Sequence, residues 1–493
     1  MTMTKRPNIL LITTDQWPGH LLGIAGHPVV QTPTLDELAR NGVRFSNAHS
    51  ECPICVPARR TLMTGASPRA HGDRVYDDSL KMPADTMAAA FRAAGYQTQA
   101  VGKLHVWPQR DRIGFDDVQL DEEGRAQYGV IDDYEIFLGD RGRPGQQFDH
   151  GMSTDGYVWR PWHLPEDLHV TNWATQQMIR QIKRRDPQRP GFWYLSYRHP
   201  HPPLVPLQSY LDMYRDMDMG EPVGDDWGQA TGDLPYVVAS KRKRGEKYSP
   251  RQIADIRRAF YALCTQIDHQ IRLVIGTLRE EMLLDNTIVL FTSDHGDMLG
   301  DHGLWAKSLF YQPSVNIPMI LLGRRNDPVI GTGVVEDRLV TLADVMPTLL
   351  DLAGVPAPDT MDGRSMLTAP AREVVHGEFG ENANATRMIR DQRWKLVYYP
   401  VGNVCQLFDM EMDPQETRDL AHLPECAAIL DRLSGELVRH LYGGDLDWVT
   451  DGRLTGLPNR EAGPRLNRDL SSQRGQHWPP QLHSDMPQIL NSA

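Results

Sequence analysis

Short apolar runs recur between longer amphipathic segments, and this alternation most constrains the fold. Asn8–Thr13, Thr98–Gly102, Phe192–Ser196, Thr287–Thr292 and Pro318–Leu322 are rich in Ile, Val, Leu and aromatics and are bounded by turn residues, as strands are. Helical patterns lie between them. Thr34 with Glu37 reads as a capping box ahead of Leu35, Leu38 and Ala39, with Gly42 closing the helix. Ser249-Pro250 opens a long helix with Ile253, Ile256, Phe260, Leu263, Ile267, Ile271, Val274 and Leu278 at helical spacing. Leu342–Ala353 is another, stopped by Gly354. The alternation predicts an α/β fold, a large mixed, mainly parallel sheet sandwiched by helices, with sites at the carboxyl ends of strands.

The pattern changes near Ala369-Pro370. Glu373–Phe379, Thr386–Arg390, Trp394–Tyr399 and Gln406–Asp409 read as strands with short turns, followed by a helix around Ala427–His440. The expected division is a catalytic α/β domain over 1–370, a smaller C-terminal α+β domain with an antiparallel sheet over 371–442, and an extended tail over 443–493. That tail is rich in Gly, Pro, Asn and Arg, and is expected to be disordered or to lie at a subunit interface. Trp107–Trp173 is polar and aromatic-rich (Trp107, Tyr128, Tyr134, Tyr157, Trp159, Trp162, Trp173) and reads as a long substrate-facing loop region. Lys241-Arg-Lys-Arg244 reads as a solvated basic turn, and Asn384-Ala-Thr386 as a surface turn.

Composition narrows the partners. Lys+Arg is 52 against Asp+Glu 64, a net charge of −12, so a nucleic-acid partner is not expected. No window approaches the ~18 apolar residues that span a bilayer, and the start lacks a secretory pattern; the cytoplasm is the expected compartment. The five cysteines, Cys52, Cys55, Cys264, Cys405 and Cys426, are too sparse for a disulfide framework.

Chemistry-bearing residues collect after the strands. Asp15 ends the first, in Thr13-Thr14-Asp15-Gln16, as a metal ligand or a turn cap. Asp294-His295 follows another; carboxylates suit Ca²⁺ or Mg²⁺, and the imidazole tilts the set towards Mn²⁺. Gln16 offers an amide oxygen. Cys55 lies among Pro53, Pro57 and Arg59, poor company for a core strand, so it is a core thiol, a nucleophile or half of a Cys52–Cys55 redox pair. Lys103, His105, His201 and Lys307 also follow apolar runs or glycines. With a metal, such groups would build a pocket for a tetrahedral oxyanion.

Cys55-Val-Pro57-Ala-Arg59 with Leu62, Thr64 and Gly65 closely resembles the C-x-P-x-R signature of formylglycine-dependent sulfatases in the alkaline phosphatase superfamily. The resemblance runs from about Pro7 to about Leu420. It takes in Thr32–Ala39, Gly102-Lys-Leu-His105, Pro200-His-Pro202, Asp294-His-Gly296 and Pro347-Thr-Leu-Leu350. It implies an alkaline-phosphatase-like fold and hydrolysis of a small-molecule sulfate ester. It implies that a maturation enzyme converts Cys55 to formylglycine, whose hydrate is the nucleophile. Asp15, Asp294 and His295, with Gln16 as a weaker fourth, would hold one divalent metal, Ca²⁺ or Mn²⁺. Arg59 and Lys103 would neutralise the formylglycine and sulfate oxygens. His201 and Lys307 would bind the ester and protonate the leaving oxygen, and His105 would take the proton that releases sulfate. A homo-oligomer, dimer or tetramer, is implied too.

Two departures from the pattern matter. Gln16 and His295 stand where many sulfatases carry Asp and Asn. Both changes resemble the phosphonate monoester hydrolase branch, which also acts on phosphodiesters, as does the long tail. That branch has uncharged side chains where this chain has Lys103 and His105, which favours a sulfate ester. A silent binding homologue is a third reading and requires an unmodified Cys55. Because the whole chain is acidic, capture of an anionic ester must rest on local charge: the metal, Arg59, Lys103 and Lys307.

Overall fold

Asn8–Asp15 (β1) is apolar at successive positions because both its faces are covered. Ile9 and Leu11 enter one core, Leu10 and Ile12 the other, as alternation along a strand requires. The computed structural model describes residues 6–77, 79–123, 131–153, 156–227, 234–244 and 248–461. With β1 it forms a sheet from Val43–Phe45 (β2), Gln97–Gly102 (β3), Asp117–Leu120 (β4), Gly191–Pro200 (β5), Thr287–Ser293 (β6), Met319–Leu322 (β7) and Val334–Glu336 (β8). The eight strands run in the order β4-β3-β5-β1-β6-β7-β2-β8. β4 through β6 are parallel; β7 is antiparallel to both β6 and β2. The expected mixed, mainly parallel sheet is therefore present, and its five parallel strands lie together.

Helices cover both faces. Pro33–Arg40 (α1), Val170–Lys183 (α3) and Pro250–Glu280 (α5) pack on one; Cys55–Thr64 (α2) and Val345–Ala353 (α6) pack on the other. Tyr236–Arg244 (α4) lies beside the strand ends. Every residue of α2 is buried, so Cys55 begins an enclosed helix, closed by Gly65 in the left-handed conformation. Ser249 and Gln252 form the capping box of α5.

The C-terminal strands Val375–Phe379 (β9), Thr386–Arg390 (β10), Trp394–Tyr399 (β11) and Val404–Asp409 (β12) form an antiparallel sheet in chain order. Val375, Met388, Val397 and Phe408 pack towards Phe310 and Tyr311; Ile389, Leu396 and Leu407 pack under Ala427–His440 (α7).

Some expectations change. α1 is capped from outside: Thr32 is its N-cap residue, and Asp268 of α5 accepts from the backbone N–H groups of Thr34 (3.0 Å) and Leu35 (2.8 Å). Trp107–Trp173 is no long loop. It contains β4, a helix over Asp133–Asp140 capped by Asp132, and the start of α3, with Tyr134 and Trp173 in the core; Tyr128 lies outside the described residues. Lys241–Arg244 ends α4, where Lys241 donates to the Lys307 carbonyl (2.8 Å) and Arg242 pairs with Asp225 over the Trp227 ring. The start of the 443–493 segment packs on the C-terminal sheet through buried Trp448. Its Asp445 joins Arg387 (2.7 Å) to Arg74 (3.1 Å). Residues beyond 461 lie outside the described ones.

Gly102 ends β3 at φ +104, and a Cβ there would sit 1.9 Å from the Ser196 carbonyl oxygen. Gly102→Ala is expected to cost about 3 kcal/mol, read as a lower urea midpoint. Glu51 lies between α2 and the C-terminal sheet, where burial pushes its carboxyl from 4.5 up to about 8. The native state thus holds a proton that the unfolded chain releases above 4.5, so stability falls as pH rises through that window. Glu51→Gln is expected to flatten this fall, removing up to about 1.4 kcal/mol per pH unit from urea midpoints measured between pH 5 and 8.

Candidate active site

The strand order decides which residues meet. β3, β5, β1 and β6 are neighbours, and their carboxyl ends deliver Lys103, His201, Asp15, and Asp294 with His295. The first turn of α2 brings Cys55 and Arg59 to the same point. Asp15, Cys55, Asp294 and His295 each present one ligand atom, all within 4.8 Å of one another, and all four residues are buried.

Two cations orient the carboxylates. Arg59 pairs through Nε with Asp294 Oδ2 (3.1 Å) and through a terminal nitrogen with Asp15 Oδ2 (3.3 Å); Lys103 Nζ lies 2.7 Å from the same Asp15 oxygen. The Oδ1 atoms are thereby left facing His295 Nε2, at 3.7 Å from Asp15 and 3.6 Å from Asp294. His295 Nδ1 meets the Gly296 carbonyl at 2.9 Å, which turns Nε2 towards the two carboxylates. Two carboxylate oxygens, an imidazole nitrogen and a sulfur converge as a donor set for a divalent cation. Asp294 Oδ1 also accepts from the backbone N–H groups of Gln16 (3.1 Å) and His295 (2.8 Å).

Cys55 Sγ lies 3.4 Å from His295 Nε2, 3.8 Å from Asp15 Oδ1 and 3.1 Å from Lys307 Nζ. Burial and Asp15 push its thiol up, yet Lys307, Lys103 and His295 outweigh them and leave it below its ordinary value. Burial favours a neutral Lys307, but Cys55 and Asp15 hold it charged, with a raised pKa. Burial opposes ionisation of Asp15 as well; Lys103, His201, Lys307 and Arg59 reverse that and hold its carboxyl well below the usual range. Burial and Lys307 push His201 far down, and its Nδ1 meets the Pro202 carbonyl at 2.7 Å.

Gln16 and His105 are held by neighbouring side chains. Gln16, at φ 74, accepts from Lys307 Nζ through Oε1 (2.8 Å) and donates through its amide nitrogen to Tyr157 (2.9 Å) and Asp297. His105 meets the Tyr76 hydroxyl (3.2 Å). Cys52 is buried, its thiol pushed up by burial and nearby carboxylates, and it forms no disulfide with Cys55. The sequence reading missed Asp297, Glu122 and Glu123, buried carboxylates bonded to the named residues.

The sulfatase family model matches residues 7–355, more than half of the chain. This chain belongs to the sulfatase family. A model for the C-terminal region of N-sulphoglucosamine sulphohydrolase matches residues 300–441. The sulfatase is 36% identical to an arylsulfatase of Clostridium perfringens, over 92% of this chain and 98% of that one. It is 30% identical to a choline-sulfatase of Rhizobium meliloti, over 85% and 83%. Among solved structures it is similar to the phosphonate monoester hydrolase of Agrobacterium radiobacter (TM-score 0.75, 24% identity, 92% of this chain and 100% of that one). That of Silicibacter pomeroyi is similar too (TM-score 0.71, 25% identity, 92% and 99%). The fold is that of the alkaline phosphatase superfamily, and the family supports hydrolysis of sulfuric esters.

A cation seated on Asp15, Asp294 and His295 would bind the native state alone. Chelation is therefore expected to lower the melting temperature, with a loss of about 2.7 kcal/mol if the free ion stood at a hundred times its Kd. Thermal melts with and without chelator check this, and Asp294→Asn should shrink the difference.

Proposed function

We propose that this sulfatase hydrolyses a sulfate monoester of a phenol or alcohol, with Cys55 working as formylglycine. The observation that carries the reading is the convergence of Cys55, Lys307, His295 and Asp15 where the central strands end. Oxidation of the Cys55 thiol exchanges its sulfur and two hydrogens for one oxygen; the hydrated aldehyde supplies one oxygen to attack sulfur and a second through which sulfate is expelled. Asp15, Asp294 and His295, with Gln16 as a weaker fourth, would hold Ca²⁺ or Mn²⁺, which supplies Lewis-acid charge beside the nucleophile.

The chain's own groups divide the remaining work. Arg59 and Lys103 set positive charge against the sulfate oxygens. Lys307, charged and 3.1 Å from Cys55 Sγ, would protonate the leaving oxygen. His201, its pKa pushed down by burial, acts beside it as a neutral hydrogen-bonding group that helps hold the ester. His105 receives the proton released as the sulfated hydrate collapses. Tyr157, whose ring packs on Trp305 at 4.9 Å, links this centre to the aromatic segment that would face the leaving group. Cytoplasmic residence, a formylglycine-generating partner enzyme and a homo-oligomeric assembly belong to the same reading.

Gln16 and His295 favour a second reading, a phosphonate monoester or phosphodiester hydrolase. Comparing kcat/KM for an aryl sulfate and an aryl phosphonate monoester on one preparation separates the two; a large phosphonate preference would overturn the first. Cys55→Ala is expected to abolish turnover while retaining the fold, seen as unchanged circular dichroism. Intact mass of the active protein should show the exchange of sulfur and two hydrogens for oxygen.

A further inference from the structure

β4 lies at the edge of the sheet beside β3, and the chain leaves its carboxyl end as Asp121-Glu122-Glu123. Both glutamates are almost fully buried, and both turn back onto the Lys103–His105 segment. Glu123 Oε1 lies 2.9 Å from Lys103 Nζ and 3.8 Å from His201 Nδ1. Glu122 Oε1 accepts from two successive backbone N–H groups, Leu104 (2.9 Å) and His105 (2.8 Å). His105 itself holds φ 59, a left-handed conformation that a histidine adopts at a cost.

A carboxylate near a sulfate site opposes the anion it must admit. Glu123 therefore needs a compensating role, and its contact supplies one. Lysine is a point charge on a flexible stem. With Asp15 on β1 as its only carboxylate, the Lys103 ammonium would be drawn towards the metal ligands. A second carboxylate from the β4 end fixes it between two anchors on different strands. The paired backbone acceptance by Glu122 holds the next two residues in register and supports the strained His105.

We propose that Glu122 and Glu123 form an acidic clamp of positioning residues: Glu123 sets the Lys103 ammonium, and Glu122 sets the backbone that carries His105. The clamp rests on the reading of Lys103 and His105 as sulfate-site groups. It differs in sign from a simple field effect. Removing a negative charge near the site would tighten anion binding if Glu123 acted through its field; it weakens binding if Glu123 acts by placing Lys103.

The test uses metal-loaded, formylglycine-bearing enzyme. Glu123→Gln is made alone and with Lys103→Met, and kcat, KM and inhibition by inorganic sulfate are measured with thermal melts as a folding control. Glu123→Gln alone is expected to lower kcat/KM about 10–100-fold, as loss of a partner orienting a ligand-binding group does, and to weaken sulfate inhibition. Added to Lys103→Met it should have little further effect, because contacting groups are not additive. Glu123→Asp, which keeps the charge but shortens the reach, should lose part of the activity, and it decides the matter if Glu123→Gln does not fold. Glu122→Met should fall further than Glu122→Gln, which keeps an acceptor oxygen. Unchanged or higher kcat/KM in Glu123→Gln, or an equal loss in both backgrounds, would overturn the clamp alone. Full activity in Lys103→Met would overturn the underlying reading and the clamp with it.

Discussion

The rest of the site depends on one guanidinium. Arg59 is almost fully buried, yet it touches the carboxylates of two strands and donates to the Lys103 carbonyl (2.7 Å) and the Ser196 hydroxyl (2.8 Å). Burying such a charge costs several kcal/mol unless its partners are well placed, and these partners come from β1 and β5 and from the residues that follow β3 and β6. Arg59 therefore ties together the four central strands at their carboxyl ends. Planarity matters here, because a fork of N–H groups serves several acceptors at once where a lysine would act as a point charge.

Charges of both signs crowd around Arg59. Asp15, Asp294 and Glu123 stand against Arg59, Lys103 and Lys307. A divalent cation seated among them would add two positive charges, the sign an anionic ester needs inside a chain of net charge −12. The fold thus separates two electrostatic tasks. The chain is acidic overall, while Arg59, Lys103 and Lys307 gather where the central strands end.

How legible this was depended on how local the signal is. Thr386–Arg390, Trp394–Tyr399 and the Ser249-Pro250 start of α5 were readable because apolar alternation and helix-start chemistry are written within a few residues. The helix start at Thr32 was not, because the carboxylate that serves Thr34 and Leu35 comes from Asp268, far along the chain. Asp15, Asp294 and His295 stood out by following strong apolar runs. Glu122 and Glu123 follow a weaker one, Asp117–Leu120, and in sequence two adjacent glutamates look like solvated surface. Their place at the end of a strand was the available signal. Lys241 was misread for a related reason: a basic run carries no mark of the Lys307 carbonyl that one of its members meets.

The position of β1 in the sheet has a kinetic side. Asp15 is made early, whereas Asp294 and His295 end a strand that lies near residue 290 and pairs directly with β1. Closing so long a loop is slow compared with forming local helices, so this pairing is among those that chain entropy delays. Until then Arg59 lacks Asp294, and Cys55 lacks the imidazole that lies 3.4 Å from its sulfur. Any reagent or enzyme that acts on the Cys55 side chain meets it most easily in that interval. Arrival of one central strand both completes the pocket and encloses Cys55.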